Sequence, residues 1–171
     1  MNYWDLDRLG RVRLSENFFF REFLHSEVGN FYGIPNIPDD PKLAIETGSK
    51  LCQEILEPLQ KEYGRIHIRS GYRSSSLNAF CHQRGLGCAS NEKNFARHIW
   101  DKLDAEGSKG ATACIVVPSF LTEFEKTGDR TPLIKFIHDN LPYSELTFFK
   151  RQCAFNIGTY LKQWTKKSVT S

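Results

Sequence analysis

Two short strand-like runs near the C-terminal end constrain this chain more than any other feature. Glu145 to Phe149 and Cys153 to Ile157 are joined by only Lys150, Arg151 and Gln152. So short a link makes a hairpin, because a parallel return needs a crossover of a dozen or more residues. Two earlier runs supply further strands. Arg65-Ile66-His67-Ile68-Arg69 alternates polar and apolar, the signature of a half-buried strand. Ala113 to Val117 is continuously apolar up to Pro118 and reads as a central strand.

Helical signals precede these strands. Ser15 is a candidate N-cap for a helix carrying Phe20, Phe23, Leu24 and Val28 at helical spacing. Gly33, Pro35 and Pro38 then mark a loop. Asp40 and Pro41 form an N-cap and first-turn pair for a long helix reaching about Tyr63. Its buried stripe is Leu51, Ile55 and Leu59, with Cys52 and Leu56 beside it, and Pro58 predicts a kink near its end. SGYRSSSLN is a turn leading into a short helix, and Cys81 to Gly110 is polar and aperiodic. Thr131-Pro132 opens a helix whose Leu133, Phe136 and Ile137 face the core. Helices early and hairpin-connected strands late give an α+β fold: a small antiparallel sheet with N-terminal helices packed on it.

At 171 residues the chain predicts one domain spanning 1–171. Lys+Arg number 23 against Asp+Glu 20, a net charge of +3 spread over both signs, which is no nucleic-acid signature. No apolar run approaches the ~20 residues of a membrane span, and MNYWDLDRLGRVRL has no apolar core of a signal peptide. The five cysteines (52, 81, 88, 114 and 153) are odd in number and too sparse for a disulfide-built fold. Cys81 and Cys88 match no common metal-ligand spacing. The expectation is a soluble, reduced, cytoplasmic protein with a basic tail over 162–171, where Lys166 and Lys167 are solvated.

Three segments in order carry a resemblance: LSENFFFREFLHSE, ILEPLQKEYGRIHIRSGYRSSSLN, and CIVVP followed by the late hairpin. Across residues 14–157 the chain resembles the M15 peptidases, the zinc-dependent D-alanyl-D-alanine carboxypeptidases and phage endolysins, and the resemblance implies their fold, that of the Hedgehog and DD-peptidase group. SGYRS, Ser70 to Ser74, is the most specific match. The resemblance implies a zinc ion held by His, Asp and a second His, a Glu that takes a proton from bound water, and an Arg that grips the substrate's terminal carboxylate. Arg73 matches the arginine, with Ser70 and Tyr72 beside it as substrate-binding residues. His98 matches the first zinc ligand, although Ala96 stands where the family has a serine. Cys114 occupies the aspartate's place and Asn156 that of the second histidine. No acid precedes Asn156 where the glutamate would fall, since Phe149, Lys150, Arg151, Gln152 and Cys153 fill that span.

His98-Ile-Trp-Asp101-Lys-Leu-Asp104 offers a second constellation. On a helix, His98 and Asp101 would share a face, so Asp101 could orient His98 as a catalytic base. His98 with Asp104 and Cys114 could instead hold zinc or another divalent transition metal, and a site with no cofactor is equally compatible. His25, His67 and His138 read as surface or capping histidines, and His82 beside Cys81 is a weaker metal-ligand candidate because adjacent residues rarely aim at one point. Two functions follow. One is a metal-dependent hydrolase rebuilt around His98, acting on a peptide or small molecule with a free carboxylate. The other is a pseudoenzyme of the same fold that binds a peptide terminus or a partner protein without turning it over. Neither involves nucleic acid or a membrane.

Overall fold

The computed structural model describes residues 1–161; the basic tail expected over 162–171 lies outside the described residues. Four strands form one antiparallel sheet: β1 (His67–Ser70), β2 (Lys109–Val116), β3 (Glu145–Phe148) and β4 (Phe155–Leu161), in the order β1-β2-β4-β3. The expected hairpin is β3–β4, with Thr147 opposite Asn156. The apolar run before Pro118 is the interior strand β2. The architecture is α+β.

Side chains alternate across β2. Ala111, Ala113 and Ile115 are fully buried, and with Phe155 and Ile157 of β4 they form one wall of the hydrophobic core. The opposite wall is helical. Helix α4 (Pro41–Leu51) starts at Asp40, whose side chain accepts the Leu43 N–H. It continues through a π-helical turn, Cys52–Leu56, into α5 (Glu57–Tyr63). Leu51, Cys52, Ile55, Leu56 and Leu59 are all fully buried, as the stripe predicts. The irregularity expected from Pro58 takes the form of that widened turn. Pro58 has no N–H and would press its ring on the carbonyl four residues back; widening the turn before it relieves both constraints, and the Glu57 N–H bonds Cys52 five residues back.

The helix expected from Ser15 is broken into two pieces, α2 (Arg21–Leu24) and α3 (Glu27–Tyr32). Ser15 caps neither: its hydroxyl donates to Glu57 at 2.7 Å, tying the N-terminal loop to α5. Ser26 caps α3. The remaining helices are α1 (Tyr3–Gly10), α6 (Ser75–Gln83), α7 (Asn91–Asn94), α8 (Pro118–Thr127) and α9 (Thr131–Asn140). Among the described residues, no helix is long and apolar enough to cross a membrane.

One cysteine expectation is corrected. Cys81, at the end of α6, and Cys88 are disulfide-bonded, whereas Cys52, Cys114 and Cys153 are free thiols. Seven positions of polar, Gly-containing chain return Cys88 to the helix end, a proximity that no ligand or framework spacing signals.

Candidate functional site

The second face of the sheet is polar, and Thr112, Cys114 and Asn156 open from it into a broad groove. Cys114 of β2 lies opposite both Asn156 of β4 and Ser70 of β1, so the three positions converge by register. Ser70 also lines the groove, and a register shift between Ile68 and Ser70 lets the chain turn away from the sheet into Gly71-Tyr72-Arg73.

His98 reaches this groove on an irregular segment, not on a helix. Beyond residue 113 the free edge of β2 is covered by β1; before it, the segment around Arg97 to Trp100 covers that edge. The Thr112 N–H donates to the Arg97 carbonyl, and the Trp100 indole N–H donates to the Thr112 carbonyl, each at 3.0 Å. Trp100 is fully buried among Phe20, Phe23 and Tyr72. It anchors the segment in the core while His98 faces the groove. The crossing is tight. Ala96 has φ +59°, a left-handed conformation that costs a non-glycine residue of order 1 kcal/mol or more. A Cβ on Gly110 would lie 2.2 Å from the Ala96 carbonyl oxygen, so only glycine lets this segment rest on β2.

His98 and Arg73 are brought together. The Arg73 backbone N–H donates to the His98 carbonyl at 2.8 Å, and the His98 ring meets the Gly71 carbonyl through Nδ1 at 3.1 Å. A carbonyl only accepts, so Nδ1 carries the proton and Nε2 the lone pair. Burial first, and then the Arg73 guanidinium, hold the imidazole down to about 4, so it is neutral at pH 7. The Asn156 side chain acts on the same imidazole in the opposite sense, favouring its protonated form.

Arg73 itself is half-buried. One guanidinium nitrogen donates to the Asn78 side-chain oxygen at 2.8 Å, and among the described residues no carboxylate pairs with it. Burial lowers its pKa, which marks a cation short of compensating charge. By contrast, Arg69 and Arg97 at the same groove have Glu27 and Glu145 as ion-pair partners.

Three expected site residues make their hydrogen bonds elsewhere. Asp101 does not orient His98. One of its oxygens accepts the Asp39 and Asp40 N–H groups, at 2.8 and 3.0 Å, and the other accepts the Tyr72 hydroxyl at 3.1 Å. The helical spacing that would have joined Asp101 to His98 does not exist, because residues 98 to 101 form turns around an isolated Phe95–Ile99 bridge. Tyr72 is 2% exposed, with its ring against Phe20 and Trp100 and its hydroxyl on Asp101, so its side chain is a core element. Asp104 turns one oxygen onto the Glu106 and Ser108 N–H groups of its own loop.

The zinc ion that the resemblance implies does not fit the donors present. A catalytic zinc site takes three protein ligands and leaves one position open. Among the described residues no group of three His, Cys, Asp or Glu side chains is placed to hold a metal ion. Of the three converging positions, Asn156 is a neutral amide and a weak ligand. Burial pushes the Cys114 thiol upward, against the thiolate that metal binding requires.

Residues that the sequence did not single out complete the site. Asn36 bonds the Leu24 and Tyr72 carbonyls and the Ser74 N–H, fixing the SGYRS turn. Asn78, fully buried, braces Arg73. Neither is legible beforehand, since a loop or helix asparagine carries no mark of burial. Comparisons with protein-family models, curated proteins and solved structures returned no match.

Proposed function

We propose that this chain is an M15-peptidase-like domain that recognises a free carboxylate, on a peptide terminus or small molecule, without zinc-dependent turnover. The observation that carries this reading is Arg73: a half-buried guanidinium at an open groove, with one nitrogen braced by Asn78 and no carboxylate partner among the described residues. A planar guanidinium offers a carboxylate two parallel hydrogen bonds, and desolvation strengthens them. Neutral His98 and the Asn156 amide add uncharged polar contacts without competing negative charge. Arg73→Lys keeps the charge and loses the fork. Its affinity for a short peptide ending in D-Ala-D-Ala should fall about tenfold by calorimetry, roughly one charge-assisted hydrogen bond. Unchanged affinity contradicts the reading.

A metal-dependent hydrolase rebuilt on His98 is the second reading, supported by His98 and Cys114 opening on one groove. Metal analysis of the purified protein beside His98→Ala separates the two. Stoichiometric metal that the variant loses favours the hydrolase; metal absent from both favours the binding module.

A further inference from the structure

The Cys81–Cys88 disulfide stands at the rim of this groove, and an unbroken path of hydrogen bonds leads from it to Arg73. Cys88 is followed directly by Ala89, whose carbonyl accepts from the Asn78 side-chain amide at 3.0 Å and from Asn94 at 3.3 Å. The Asn78 oxygen in turn accepts from Arg73 at 2.8 Å and from Asn94 at 3.1 Å. Asn91 closes the cluster, its side-chain oxygen accepting a hydrogen bond from the Asn78 amide and its own amide donating to the Ser75 carbonyl. Asn94 also bears on the other half of the site, since its backbone carbonyl accepts the Arg97 and Ile99 N–H groups that flank His98.

Apart from the disulfide, the loop is held by the Gly85 and Leu86 N–H groups on the His82 and Cys81 carbonyls and by the His82 ring on the Cys88 carbonyl at 3.0 Å. Arg84 to Gly87 are exposed, and Gly85 and Gly87 take positive φ with open space around them. Cys81 is buried and Cys88 half-buried, so the bond is reachable from the Cys88 side.

We infer that the Cys81–Cys88 bond is a redox-sensitive clamp on the groove: closed, it holds the Ala89 carbonyl against Asn78 and so fixes Arg73; open, it releases Arg73. The inference rests on the carboxylate-binding reading and names a regulation of that same site. The opening step is thiol–disulfide exchange. A dithiol reductant attacks one sulfur as its thiolate and passes through a mixed disulfide. It ends as its own cyclic disulfide, having given two electrons and two protons to leave two thiols on the protein.

The test compares the oxidised full chain, the same chain reduced with dithiothreitol, and the Cys81→Ser/Cys88→Ser variant. Three readouts are needed: amide hydrogen exchange over residues 84–94, the Arg73 side-chain Nε–H NMR signal, and affinity for free-acid peptide. The expected result is faster exchange over 84–94, a shifted or broadened Arg73 signal, and affinity about tenfold weaker in both opened forms. An Arg73 signal unchanged between oxidised and reduced protein overturns the clamp, whatever the peptide does. Cooperative unfolding of the whole chain on reduction also overturns it, because the bond would then be a global staple. If neither form binds the peptide, the carboxylate reading fails, and the Arg73 signal still decides whether the clamp exists.

Discussion

Arg73 and His98 illustrate how burial sets the character of a side chain more firmly than its neighbours in sequence do. His98 is buried and Arg73 half-buried; burial disfavours the charge of each, and the Arg73 guanidinium further disfavours a charge on His98. The outcome is asymmetric, because a guanidinium keeps its proton at any accessible pH and an imidazole does not. His98 therefore stays neutral, and this has a thermodynamic consequence. The unfolded chain protonates His98 near its ordinary value of 6.5, the folded chain only near 4. Between those values the unfolded state binds more protons, so stability is complete above about 6.5 and falls as the pH drops toward 4. The loss is on the order of 3 kcal/mol. Urea unfolding from pH 7 to 4 should show this slope, and His98→Gln should flatten it. An unchanged slope in the variant would assign the acid sensitivity elsewhere.

At the scale of elements, the segment that carries His98 explains both what the sequence revealed and what it concealed. The strands were legible because each declares itself locally: alternation in β1, an apolar run in β2, a three-residue link between β3 and β4. The crossing segment has no such period. Its conformation comes from long-range facts: an unpaired stretch of β2 edge, an indole buried in the core, and a glycine that permits contact. Helical spacing applied to His98 and Asp101 failed for that reason, and Asp101 proved to anchor the Asp39–Asp40 turn and Tyr72. Helix α1, with its Asn2–Asp5 capping box, and α8, opening at Pro118, also went unread although their start signals are present. Gly110→Ala tests the crossing. Its methyl must displace the Ala96 carbonyl or break the β2–β4 pairing at Gly110, so stability should fall by about 2 kcal/mol or more and the His98 NMR signals should shift. A thermal midpoint and spectrum matching the parent would mean that the close approach is not needed.

For the whole molecule, one sheet serves two purposes. Its apolar face closes the core against α4 and α5, and its polar face forms the floor of the groove. Strand register puts Cys114 opposite Asn156, and the edge-covering segment sets His98 beside Arg73, so the fold assembles a site from four distant stretches of chain. The strands that floor the groove were readable in outline; the asparagine cluster and the disulfide behind Arg73 were not, because both depend on how loops return to the fold. Under the proposed function, this groove reads a carboxylate through Arg73 and needs no metal to do so. Calorimetric titration with one short peptide in two forms, free acid and C-terminal amide, both in excess chelator, tests it most directly. The account predicts that the free acid binds and that the amide binds at least about tenfold more weakly. Equal affinity for the two forms, or free-acid binding that appears only when metal is restored, would contradict it.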